Sequence, residues 1–248
     1  MEVQILSRAF LQGFHRGLTI SHVVAASGAN IAAVAVERIV NRVDLSDARL
    51  LMLSQSFADF GEKTRLLMAL VGERCLTYPV FDRPQTLNRD YYDRLPPRAV
   101  LEAYNALGLA ARDGIAYLDC VQECMGVLRL PMCQYRDAAE TAQARRFPRK
   151  RSILRRQIGY GTGIVAREAV YVAPREMARV LLAVERYRLA HGSLPEAIDS
   201  LVPEYFASVP EDPLDGMPLR YKRLDRGYVI YSVGEDRRDN GGKPRPPE

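Results

Sequence analysis

Pro174-Arg-Glu-Met-Ala-Arg-Val-Leu-Leu-Ala-Val-Glu-Arg-Tyr-Arg-Leu-Ala-His-Gly192 decides the fold. Met177, Val180, Leu181, Val184 and Tyr187 recur every three or four residues, which places them on one apolar stripe of a helix. Glu176 suits the first turn, and Gly192 suits the left-handed residue that ends many helices. His191, beside it, gains as a cation from the helix dipole, so it needs no catalytic explanation. Working outward, Ser193 can cap a short helix in Ser193-Leu-Pro-Glu-Ala-Ile-Asp-Ser-Leu-Val-Pro-Glu-Tyr-Phe206, with Ile198, Leu201 and Val202 as its apolar face. A proline-rich loop follows. Pro218-Leu-Arg-Tyr-Lys-Arg223 and Tyr228-Val-Ile-Tyr-Ser-Val233 then read as strands joined by the turn Leu224-Asp-Arg-Gly227. The helix stripe is expected to pack Met177, Val180, Leu181 and Val184 against Leu219, Tyr221, Val229 and Tyr231.

Upstream, the pattern is helical throughout. Residues 1–43 read as two helical segments meeting near Gly17 or Gly28, and a cap at Ser46 or Asp44 precedes a helix over Ser46–Phe57. Another helix runs from Glu62 to Tyr78, and Pro79 and Pro84 enclose a loop. Pro97 opens a helix from Arg98 that continues, bent at Gly114, to Leu128. Pro131 ends it, before a short polar helix over 134–145. The fold class is therefore mainly α: a multi-helix lobe over 1–145, a basic connector and helix over 146–173, a small α+β module over 174–242, and a disordered tail over 243–248.

Composition excludes several classes. With 48% hydrophobic and 26% charged residues the 248-residue chain is globular. A net charge of +5 over this length does not call for nucleic acid, and none is expected as a partner. The longest uncharged run, Leu18–Val36, contains Thr19, Ser21, His22, Ser27 and Asn30, and is read as a buried helix rather than a membrane span. The Gly159-Tyr-Gly-Thr-Gly163 stretch lacks the Lys-Ser/Thr of a phosphate loop and is read as a helix break or close helix contact. Arg145, Arg146, Arg149, Lys150, Arg151, Arg155 and Arg156 form a basic patch. It fits an anionic-lipid or nucleic-acid contact, or a solvated connection between lobes, which is the reading favoured here.

Candidate chemistry is thin. There is no metalloprotease helix, nucleophile elbow or related catalytic motif. His15 and His22 lie two turns apart on one helix face, and with Tyr91 and Tyr92 they mark where a groove of the helical lobe would hold an enzyme or small-ligand site. Cys120 and Cys124 are one turn apart, and Cys133 follows the break at Pro131. Three histidines and no C-x-x-C pair argue against zinc. In an oxidising compartment a disulfide Cys124–Cys133, or Cys120–Cys133, competes with buried free thiols.

The order of long helix, short helix, proline-rich loop and hairpin resembles the C-terminal half of the type II secretion pseudopilins. It also resembles a group of planctomycete-type membrane-anchored proteins. Carrying residues are Glu185-Arg-Tyr-Arg188 with His191-Gly192, Leu194-Pro-Glu196, Leu201-Val-Pro203, Asp212-Pro213 with Asp215-Gly216, Leu219-Arg-Tyr221, and Tyr231-Ser-Val-Gly234 with Asp236. The resemblance implies a non-enzymatic cell-envelope interaction or assembly protein with protein partners, linked to a secretion-like apparatus. It also implies a periplasmic or extracytoplasmic location and a membrane anchor that is absent from this chain. Major pseudopilins hold calcium in the loop after the last strand, which would here use Asp236, Asp239 and Asn240 with carbonyls near Val233. Arg237 and Arg238 between the acids, and the basic tail from Lys243, favour a solvated turn instead.

Overall fold

In the computed structural model, which describes residues 19–58, 63–86, 95–146, 154 and 160–243, the chain is mainly helical with a small two-stranded antiparallel sheet near its C-terminus. The longest helices are α1 (Thr19–Val40), α2 (Asp47–Ala58), α3 (Lys63–Thr77), α5 (Arg98–Ala106), α6 (Leu109–Val127), α7 (Tyr135–Arg146) and α8 (Tyr160–His191). The loop expected between Pro79 and Pro84 instead forms a short helix, α4 (Pro79–Asp82), and a 3-10 turn (Pro84–Thr86). Two strands, β1 (Arg220–Arg223) and β2 (Tyr228–Tyr231), close the chain order.

The decisive helix begins at Tyr160 rather than near Pro174, so Pro174 lies inside it and the expected boundary at 173/174 falls mid-helix. At 1.5 Å per residue, α8 is about 48 Å long. An interior proline costs roughly 3 kcal/mol. Burial of Ala173 and Arg175 on either side of it holds the helix through that defect. Gly163 likewise sits within α8 and not at a break. The other end is as expected: Gly192 adopts φ 70°, and its N–H donates to the Arg188 carbonyl at 2.9 Å. Gly28 interrupts nothing, since α1 runs through it. The bend expected at Gly114 is displaced to Gly108, whose φ of 70° separates α5 from α6. Gly114 has a different role: a Cβ there would stand 3.0 Å from Phe81 Cβ, so the glycine lets α4 approach α6.

Every apolar cluster described includes a segment of α8. Ile164 and Val165 complete the largest core, with Leu66, Leu70, Phe81, Leu101, Tyr117 and Leu154. Ala169 and Ala173 meet Leu214 and Val233. Ala178 and Leu182 pack with Val36, Leu50 and Phe57 of α1 and α2. Val180, Ala183 and Val184 pack with Ile198, Leu201 and Leu219. The expected helix–sheet contact therefore forms with two corrections. Leu181 turns toward α2, and the sheet presents Tyr221, Tyr228 and Ile230 to the helix. Pairing Tyr221 with Ile230 and Lys222 with Val229 puts Val229 and Tyr231 on the other face, where they meet Gly242.

Candidate functional site

Two polar seams run along α8. The first joins it to α1. Three or four residues separate the inward positions of α1, and His22 is one of them. Its Nε2 lies 2.8 Å from Glu168 Oε2, with the side chains only 12% and 10% exposed. Arg175, two turns along the same face of α8, is buried, and burial lowers its pKa while the charges of Glu168 and Glu176 raise it. Burial also raises the Tyr135 hydroxyl, and the Glu168 charge adds to that. Beside this seam, Thr19 Oγ1 donates to Glu73 Oε2 at 2.7 Å and Thr77 Oγ1 donates to Glu73 Oε1 at 3.1 Å. Tyr117 OH donates to the Glu73 carbonyl at 3.2 Å, and burial pushes its pKa up to about 12. A histidine–carboxylate pair is the usual core of general-base chemistry. Here its partners are structural, and it fastens α1 to α8.

The second seam lies in the C-terminal module and is centred on Asp212, which is fully buried. Its Oδ1 accepts from Leu214 N at 3.0 Å and from Ser232 Oγ at 2.9 Å. Its Oδ2 accepts from Val233 N at 2.9 Å and Arg220 Nη1 at 3.2 Å. Arg220 also forks onto Asp215, with Nη2 to Oδ2 at 2.6 Å and Nη1 to Oδ1 at 3.0 Å. Those bonds hold the Asp215 carboxyl below the usual carboxylate range and raise the guanidinium. Nearer the helix end, Tyr228 OH donates to Glu185 Oε1 at 2.7 Å, and Arg188 Nη2 reaches Glu185 Oε2 at 2.7 Å. Burial, then the bond to Glu185, raises the Tyr228 hydroxyl.

In the acidic loop Asp236 and Asp239 serve separate backbone turns. Asp236 Oδ1 accepts from Arg238 N at 3.1 Å, and Asp239 Oδ1 accepts from Gly241 N at 2.8 Å, so each carboxylate closes its own turn. The cation facing Asp239 is Arg220 Nε, at 3.9 Å. Among the described residues no three His, Cys, Asp or Glu side chains converge on a metal position. The loop instead docks on the helical lobe. Arg237, a non-glycine residue at φ 55°, donates to Asp137 Oδ2 and to the Cys133 carbonyl, each at 2.9 Å. Arg136 pairs with the Glu235 carboxylate and donates to its carbonyl.

Of the two arrangements expected for the cysteines, the structure has free thiols rather than a Cys124–Cys133 or Cys120–Cys133 disulfide. All four cysteines are free, and the thiol of Cys124 hydrogen-bonds with that of Cys120 one turn away inside the core. That bond and burial raise the Cys124 thiol. Cys133 packs against Gly216 instead, where an added Cβ would stand 3.0 Å from its Sγ. Of the basic patch, Arg145 is exposed at the end of α7 and Arg146 is its last residue. Arg149, Lys150, Arg151, Arg155 and Arg156 lie outside the described residues, as do His15, Tyr91 and Tyr92. Leu154, within that segment, is fully buried in the main core. Arg145 also lines an open groove of about 710 Å³ between α6 and α7, with Glu123, Gly126, Asp137, Thr141 and Ala142.

Sequence reasoning missed Asp212, Arg220 and Glu168 as organising charges. Asp212-Pro-Leu-Asp-Gly216 carries a turn signal, but nothing local indicates that a carboxylate there will be buried. These seams belong to a mainly helical protein with an appended helix–hairpin module. No family model, curated protein or solved structure matches the chain.

Proposed function

We propose that this chain is a non-enzymatic interaction or assembly protein of the cell envelope, on its periplasmic or extracytoplasmic side, working with protein partners in a type II secretion-like apparatus. The observation that carries the reading is the C-terminal module itself. A long helix continues into a short helical turn and a two-stranded hairpin folded back on that helix, in the order the pseudopilin resemblance requires. The compartment draws support from α1, which is long and apolar enough to cross a membrane. The charged seams agree with a structural role, because their carboxylates and guanidiniums hold one element to the next. The test is photo-crosslinking from Met217 and Leu224, exposed apolar residues of the module, in envelope fractions of the source cells. The reading expects discrete adducts with envelope proteins from these two positions and none from exposed Ile115 on α6. A chain found only in the soluble fraction, or one giving equal adducts from all three positions, refutes it.

A second reading, a ligand-binding or catalytic site in the helical lobe, is favoured by the His22–Glu168 pair alone. It requires His22→Gln to abolish binding or turnover of a small molecule while the fold stays intact.

A further inference from the structure

α3 is apolar on both of its faces. Leu66, Ala69 and Leu70 are buried on the inner one. The one acid of the helix, Glu73, also turns inward and accepts from Thr19 and Thr77. On the outer face Thr64, Met68, Val71 and Cys75 recur at steps of four, three and four residues, which keeps them on one line. Met68 is 50% exposed, and Leu67, beside the line, 39%. Cys75 is exposed and Val71 half-buried. Polar Thr64 opens the line, and no charge lies on it. Lys63 and Arg74 flank it on the side of Leu67, at steps of four and seven from that residue. Among the described residues neither cation pairs with a carboxylate. A helix that is apolar all round is a helix with something over it.

We propose that the outer line of α3 seats a helix of a partner protein, packed alongside through a short apolar seam and bearing acidic residues on the flank that meets Lys63 and Arg74. The four-three-four spacing is that of two helices packed side by side, and charges flanking such a seam choose the partner. Thr64, Gly72 and Cys75 are small enough to let a second backbone approach. The same residues offer a bilayer little of the bulk that seats an interfacial helix. A second copy of the chain would bring its own Lys63 and Arg74 but no carboxylate from α3, because Glu73 is bound inward. An acidic helix covers the seam and answers both cations. The inference rests on the protein-partner part of the proposed function and adds a surface separate from the C-terminal module.

The probe is a labelled helical peptide of three heptads with leucine at a and d and glutamate at e and g, beside a twin with lysine at e and g. Fluorescence anisotropy with the full chain should show the glutamate peptide binding about tenfold more tightly than the lysine peptide. At about ten times its Kd, the glutamate peptide should slow alkylation of Cys75 by N-ethylmaleimide about tenfold, read by mass spectrometry. Met68→Asp should weaken that peptide about tenfold or more. Lys63→Glu with Arg74→Glu should reverse the preference in favour of the lysine peptide. Ile115→Asp, exposed on α6, should change neither affinity. Circular dichroism of each variant reports the fold. Failure of both peptides to bind, equal affinity for the two, a preference that survives the charge reversal, or undiminished binding by Met68→Asp overturns the proposal. So does protection of Cys75 by phosphatidylglycerol vesicles and not by the peptide, which makes a membrane the occupant. A dimer that Met68→Asp dissociates makes a second copy the occupant and also overturns it. The assay contains no envelope, so peptide binding without crosslinks from Met217 and Leu224 removes the envelope assembly reading and leaves the α3 seat standing.

Discussion

Asp212→Ala should destabilise the protein by about 3–5 kcal/mol. The carboxylate is fully buried and accepts from two backbone N–H groups, Leu214 and Val233, that are themselves buried. Leaving a buried donor unsatisfied costs about 1–3 kcal/mol each. The Ser232 hydroxyl can rotate to another acceptor. Arg220 is partly exposed and keeps its fork onto Asp215, so its share is small. The total falls in the range of about 3–5 kcal/mol for breaking a buried pair from one side. For a chain of this length the melting temperature should fall by about 10 °C. Asp212→Asn should cost less, because one oxygen survives for Leu214 and Ser232 while the amide nitrogen faces Val233 N–H and Arg220. Urea unfolding followed by far-UV circular dichroism is the assay, the chain having no tryptophan. A loss below about 1 kcal/mol for alanine, or a greater loss for asparagine than for alanine, would show that Asp212 is not the hub.

Leu182→Ala should cost about 2–5 kcal/mol, since Leu182 is fully buried between α1, α2 and α8, and Leu181→Ala should cost less. Equal losses in urea unfolding would mean that the facing of the stripe is wrong. Asp215, held below its ordinary pKa by Arg220, contributes stability that is complete above roughly pH 4 and is lost as pH falls through the lowered value. Asp215→Asn should therefore flatten the acid limb of the stability profile, and an unchanged slope would contradict the pairing. Millimolar calcium should leave the melting temperature unchanged, and a chelator-reversible rise that Asp236→Ala removes would restore the calcium loop.

The stripe of α8, the C-terminal glycine and the hairpin were legible because each is a local pattern. Register was legible too, had the turn been followed through. Leu224–Gly227 forces Arg223 opposite Tyr228, and counting back places Ile230, not Val229 or Tyr231, beside Tyr221. Pro174 misled for a physical reason. Proline at a first turn is the local preference, and only burial of α8 on both sides of it overrides that preference. Asp212 could not be read, because its partners Ser232 and Val233 lie 20 and 21 residues away and its burial is a tertiary fact. The facing of α1 was harder to read, because apolar and polar residues fall on both sides of it: Val36 and Thr19 are buried, while Ile20, Ser27 and Ile31 are exposed.

The loop after β2 is better explained by docking than by ion binding. Its exposed ion pairs, Arg237–Asp137 and Arg136–Glu235, are each worth little, about 0–1 kcal/mol. They nevertheless aim at the start of α7, and Val233 just ahead of them belongs to the small cluster with Ala169, Ala173 and Leu214. Asp212 accepts from the N–H of that same Val233. The residue that orders the hairpin module thus also sets the exit direction of the chain toward the helical lobe. A left-handed arginine at position 237 then costs about 1 kcal/mol or more of backbone strain, which its guanidinium contacts and the apolar cluster together offset. A metal ion placed among Asp236, Asp239 and Asn240 would compete with Arg220 for Asp239. Arginine supplies the cation here, and the loop serves as the joint between module and lobe.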